Sequence, residues 1–236
     1  MTADAPRPTL AEELLLLCFD PASGRKLMRA GHSSAYGVAG AALAELRLAG
    51  QVVEEHGRVR VTNPLPPDDP LLAEALASLA QPGKDAQRGG PRTARWVRSA
   101  SGRLEEAWLA RLAEKGAVRV ESRRFLGLVP YQHASVGPVD LTTAARKRFE
   151  LARRGGFADP RARALAALAS AIGISGSLCP GWGRRTERQA MRRLVRTDWA
   201  ARAVHKNVMS DSADGGGGAD GGGGGDGGGG GDGGGG

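Results

Sequence analysis

The 236 residues suffice for one large domain or two small ones, with 41% hydrophobic residues for a core but only 4% aromatics, so that core rests on Leu, Val and Ala. Cys18 and Cys179 are the only cysteines and give no disulfide framework, and the longest apolar run, Leu14–Phe19, is far too short to span a bilayer. The net charge of +8 is unevenly held: five Asp and no base fall within 211–236, leaving +13 on residues 1–210, a balance that points to a polyanionic partner such as nucleic acid, an anionic lipid surface or a phosphorylated ligand.

Residues 1–8 read as a loose, disordered N-terminus without the basic-then-apolar layout of a signal peptide, so the chain reads as soluble and cytoplasmic. Thr9 and Glu12 have capping-box spacing and open a helix, LAEELLLLCF, that ends near Asp20-Pro21. A turn carrying Arg25, Lys26 and Arg29 leads to a helix over Ser33–Gly50, with Ser33 or Ser34 as cap and Gly50 as terminator. Its apolar stripe, Tyr36, Ala39, Gly40, Leu43 and Leu46, is small enough for a neighbouring helix to approach closely. Val52–Val53 and Val59–Val61 flank Gly57 as a hairpin, and helix-then-hairpin is also how a winged helix ends.

Asp69-Pro70 starts the next helix. Gln81–Arg92 is a polar loop, after which a short helix about Ala94–Ser99 and a separate one, RLEEAWLARLAEKG, are predicted. In the second, Leu104, Trp108 and Leu112 stack four apart and Gly116 is the stop. A second hairpin follows, with the apolar segment Phe125–Val129. Thr142–Arg153 reads as basic and amphipathic, and Asp159-Pro160 opens a buried helix to Ile172. Gly173–Gly183 reads as a loop, and Arg184–Val195 and Thr197–Met209 as closing helices, the last capped at Thr197-Asp198. Residues 210–236 are a Gly/Asp-rich tail; it lacks the large apolar residue a calcium β-roll repeat needs, so disorder is expected.

No phosphate-binding glycine loop, H-E-x-x-H or nucleophile elbow is present, and the histidines (His32, His56, His133, His205) are scattered. The pairs Glu12–Glu13, Glu54–Glu55 and Glu105–Glu106 are adjacent and read as solvated faces. No catalytic role, no cofactor and no metal is therefore expected. What stands out are basic clusters: Arg25, Lys26 and Arg29; Arg92, Arg95 and Arg98; Arg123 and Arg124; Arg146, Lys147 and Arg148; Arg184, Arg185, Arg188, Arg192 and Arg193.

Four segments taken together, TLAEELLLLCFD, YGVAGAALAELRLAGQV, DPLLAEAL and RLAEKGAVRVESRRFLGL, resemble the Golgi phosphoprotein 3 family, which has bacterial, especially actinobacterial, members, over residues 9–209. The resemblance implies a mainly α single globular domain, a central helical bundle with outer amphipathic helices and short β-hairpins. It further implies a non-enzymatic peripheral membrane protein that binds phosphatidylinositol 4-phosphate and the cytoplasmic tails of membrane enzymes. At the family's four headgroup positions this chain carries Ala30, Ala39, Gly102 and Glu105, so none of the pocket residues is retained. Each lost charge-assisted hydrogen bond to phosphate is worth about 1.5–3 kcal/mol. Neighbouring bases, Arg25, Lys26, Arg29, Arg98 and Arg103, supply a less specific attraction to an anionic leaflet of about 1 kcal/mol each. The family's self-association hairpin corresponds to Phe125, Leu126, Leu128 and Val129, which makes a protein–protein adaptor or oligomerising scaffold the second reading. Winged-helix-like binding of nucleic acid is the third, weakened by an opening helix with few side chains able to reach base edges.

Overall fold

Thr9 opens α1 (Leu10–Leu17) with a complete capping box: its hydroxyl accepts from the Glu12 N–H while Glu12 accepts from the Thr9 N–H at 2.9 Å. The computed structural model describes residues 7–27, 33–81, 85–125 and 129–214. Every residue of α1 is buried, so this short helix is the axis of the molecule rather than an amphipathic element at its surface. The apolar run LLLLCF allows that placement, and burial pushes the Cys18 thiol up to about 12.

The second central helix, α2 (Ser33–Leu48), packs against α1 and is buried on nearly every side. Its glycines meet neighbours directly. A Cβ at Gly40 would collide with Val204 and Leu168, and one at Gly37 would lie 2.9 Å from both Leu14 and Ile172. Helix α2 is thereby wedged among α1, α6 (Pro160–Ala171) and α9 (Trp199–Asp214), with α4 (Thr93–Glu114) on a further side. A helix so enclosed has no face left to enter a nucleic-acid groove, which removes the winged-helix reading of this segment.

The hairpin of β1 (Val52–Glu55) and β2 (Arg58–Val61) turns at His56 and Gly57, both with positive φ (53° and 78°), as a two-residue loop with the right twist requires. Asp69 caps α3 (Pro70–Leu79) and also receives Arg111 from α4. The second hairpin, β3 (Val118–Phe125) and β4 (Val129–Val136), pairs Val118 with Val136 and Phe125 with Val129. Its base is tied to the turn before α2, where Val136 N–H donates to the Gly24 carbonyl at 3.1 Å. Helix α5 (Leu141–Arg154) covers α1, and α8 (Arg185–Thr197) lies against α6 and α9. The chain folds as one mainly α domain, with two separate two-stranded sheets among the described residues.

Four expectations are corrected. The region 93–114 is one helix, not two: Trp96, Val97, Ala100, Leu104 and Trp108 are all buried along it, and Ser99 and Ser101 satisfy their hydroxyls on the carbonyls of Trp96 and Arg98. Gly102 lies in its interior without breaking it. The segment 173–183 holds a short helix, α7 (Ser175–Leu178), and the start of a 3₁₀ turn, Trp182–Arg184, rather than a plain loop. Helix α9 continues to Asp214, five residues past its expected end, because Asp211 is engaged by Tyr36 and Arg98. Glu12 and Glu13 are buried rather than solvated: Lys115 lies 2.6 Å from Glu12, and Arg148 2.8 Å from Glu13.

Candidate anionic-ligand surface

The bases grouped by sequence around the family headgroup positions are largely spent on carboxylates. Lys26 Nζ lies 3.0 Å from Glu105 Oε1, which also accepts the Ser34 hydroxyl. Arg103 pairs with Glu74 of α3. Arg98 donates to Asn207 Oδ1 at 3.1 Å and Asp211 Oδ1 at 3.2 Å, and its guanidinium sits 6.0 Å over the Tyr36 ring. The Tyr36 hydroxyl donates to Asp211 Oδ2 at 2.8 Å; burial first, and then this carboxylate, push the phenol above its ordinary value. Of the bases in this group that lie within the described residues, Arg25 alone is exposed with no ion pair among the described residues. Ala39 is fully buried in the core, so a base at that position would have no route to solvent, whereas Gly102 faces open space. Arg29, Ala30, Leu126 and Leu128 lie outside the described residues, and Phe125 and Val129 are described only as paired backbone.

A different basic face is open. Helix α8 buries Met191 and Val195 and turns its arginines outward; Arg185, Arg192, Arg193 and Arg196 are exposed and have no ion-pair partner among the described residues. Just before it stands Trp182, 84% exposed, the most exposed large hydrophobic residue among those described. Its loop is built rather than loose: Arg188 donates from one Nη to the carbonyls of Cys179 at 2.6 Å and Gly181 at 2.7 Å, and the Arg185 guanidinium lies 5.8 Å from the indole. Arg153, hydrogen-bonded to both Glu150 and Glu187, ties α5 to α8 beneath this loop. The Arg153 guanidinium holds the Glu150 carboxyl at about 2, so the link is charged at neutral pH.

Between α8 and α9 runs a groove of about 840 Å³. Arg192 and Arg196, one helical turn apart, form one wall; Arg202 and Lys206, also one turn apart, form the other with His205. Ala171, Val195 and Val208 give it an apolar strip, Ser170 and Ser175 also line it, and Met209 lines the rim, 55% exposed. Among the described residues no Asp or Glu lines it. Arg202 and Lys206 also line a neighbouring hollow of about 400 Å³ with Arg92 and Arg95, where Glu54 is the carboxylate among them, so bases of α9 and of the start of α4 meet there. Asp198 sets the geometry of the walls: it caps α9 by accepting from the Ala201 N–H at 2.9 Å and pairs with Arg47 of α2 at 2.7 Å.

The sequence clusters contained Arg192 but not Arg196, Arg202, Lys206 or Trp182. The available signal was the repeated four-residue step of bases on either side of the Thr197-Asp198 cap, which places two basic rows on consecutive helices. Among the described residues no group of three His, Cys, Asp or Glu side chains is placed to hold a metal, and no helix is long and apolar enough to cross a membrane.

The family model for Golgi phosphoprotein 3 (GPP34) matches residues 10–210. No curated protein matches the chain.

Proposed function

Because the chain belongs to the Golgi phosphoprotein 3 family, we propose that it is a non-catalytic, peripheral binder of anionic membrane lipid, acting on a cytoplasmic leaflet and meeting it through α8 and the Trp182 loop. Family membership suggests a lipid-binding role. The observation that carries the reading for this chain is the α8 face, where Arg185, Arg192, Arg193 and Arg196 stand exposed without carboxylate partners among the described residues, beside a Trp that is 84% exposed. An indole flanked by guanidinium groups suits the boundary between headgroups and acyl chains, where the ring gains an apolar contact and the cations stay at the phosphates.

Phosphatidylinositol 4-phosphate is the lipid the family suggests. Lys26, the base nearest Glu105, is tied up in an ion pair, so attraction here follows total leaflet charge more than headgroup identity. Vesicle flotation tests the reading. The protein is expected to float with vesicles containing anionic phospholipid and to stay behind with pure phosphatidylcholine, with binding falling as salt rises. Vesicles of equal surface charge made with phosphatidylserine or phosphatidylinositol 4-phosphate are expected to bind within a few-fold of each other. Arg185→Glu with Arg193→Glu should weaken partitioning by roughly fivefold or more for each site, from about 1 kcal/mol per basic residue near the surface. Equal flotation with neutral and anionic vesicles at low salt sinks the proposal.

A further inference from the structure

We propose that the groove between α8 and α9 is a binding pocket for a phosphate-bearing amphiphile, the headgroup end of a single anionic phospholipid molecule. The inference rests on the membrane-surface reading above and deepens it by giving the lipid a defined seat, in a place separate from Lys26 and Glu105. Three features coincide there.

The first is uncompensated charge. Several bases elsewhere are matched to carboxylates, as in Arg47 with Asp198, Arg103 with Glu74 and Arg153 with Glu187, while Arg25, Arg185 and Arg193 stand at the surface with no ion-pair partner among the described residues. In the groove Arg192, Arg196 and Lys206 have no ion-pair partner among the described residues, and Arg202 only approaches Glu54 at 3.8 Å. Like charges facing one another across a groove repel, and an anion between them removes that repulsion while accepting hydrogen bonds from both walls.

The second is the floor. Ala171, Val195 and Val208 offer nothing to a free phosphate or a sugar but suit a glycerol backbone and the first carbons of an acyl chain. Met209 extends that apolar strip to the rim, and its unbranched, polarisable side chain adapts to a chain of variable shape. The third is size: about 840 Å³ is the scale of a site that encloses a small organic molecule, far more than an inorganic anion needs. A nucleic-acid backbone would use the basic walls and leave the apolar floor empty. The same helix α8 carries both the outward arginines and the Arg192–Arg196 wall, so a lipid at the leaflet surface lies next to the groove mouth.

The test uses the full chain and titration calorimetry with monomeric dihexanoyl phosphatidic acid, kept below its micelle concentration so that no membrane is present. Saturable binding is expected, with glycerol 3-phosphate weaker by roughly tenfold or more for want of the floor contact, and dihexanoyl phosphatidylcholine not saturating. Arg196→Glu with Lys206→Glu should reduce phosphatidic acid binding by roughly tenfold or more. Met209→Ser, which removes apolar surface without adding charge, should weaken the lipid far more than glycerol 3-phosphate, and Trp182→Ala should reduce vesicle flotation while leaving monomer binding intact. Vesicle flotation without monomer binding would keep the surface reading and overturn the pocket. Glycerol 3-phosphate binding as tightly as the lipid, or a short oligonucleotide binding more tightly than either, also overturns it.

Discussion

Arg161 is the cation on which the top of the buried α1 depends. Its guanidinium pairs with Glu45 of α2, approaches Glu13 at 3.8 Å and donates to the Pro8 carbonyl, with only 13% of the side chain exposed. Glu45 in turn accepts the Leu10 N–H at 2.6 Å, one of the free donors at the start of α1. One residue therefore joins α1, α2 and α6 through charges that could not be left alone in the interior. Arg161→Met is expected to cost about 3 kcal/mol in urea denaturation, because Glu45 keeps its charge and loses its partner. Arg161→Met combined with Glu45→Met should recover part of that loss, since the stranded carboxylate is gone; a double variant no more stable than the single one would contradict this account. At the surface the same chemistry has a functional sense: pairing Lys26, Arg98 and Arg103 with carboxylates withdraws them from ligands, whereas Arg185, Arg192, Arg193 and Arg196 of α8 and Lys206 of α9 have no ion-pair partner among the described residues.

Among the elements, two glycines on helices behave oppositely. Gly40→Ala forces a methyl group against Val204 and Leu168 where α2 meets α9 and α6, and should destabilise by about 1–3 kcal/mol. Gly102→Ala, in the open interior of α4, meets nothing and should stabilise by about 0.5–1 kcal/mol. Thermal or urea unfolding of the two variants reads both signs. The small-residue stripe that makes Gly40 a contact point is legible in the sequence because it is a helical repeat. So are the Thr9–Glu12 box and the Asp69, Asp159 and Asp198 caps, each a local hydrogen bond between residues two or three apart. The continuity of α4 is not legible: glycine propensity at 102 argues for a break, and tertiary burial of Trp96, Ala100 and Leu104 on either side overrides it. The burial of Glu12 and Glu13 is hidden for a related reason, since their partners Lys115, Arg148 and Arg161 are distant in the chain. The groove is half legible, as two basic helical rows whose apposition depends on the turn at Asp198.

For the whole molecule, charge distribution matters more than total charge. The residues after Asp214 carry Asp220, Asp226 and Asp232 and no base, so a chain ending at Asp214 has a net charge of +11 instead of +8. That shorter chain is expected to bind anionic vesicles more tightly at low salt, with the advantage shrinking as salt rises past the screening regime; co-sedimentation at two ionic strengths measures it. An advantage that persists at high salt would show that the removed residues act by something other than charge. The complete burial of α1 also bears on how the protein is made. Its covering surfaces come from α2, α4, α5 and α6, the last beginning only at Pro160. During synthesis LLLLCF therefore leaves the ribosome long before the partners that shield it exist. The nascent chain must carry an uncovered leucine-rich segment through most of its translation, a natural binding site for a chaperone.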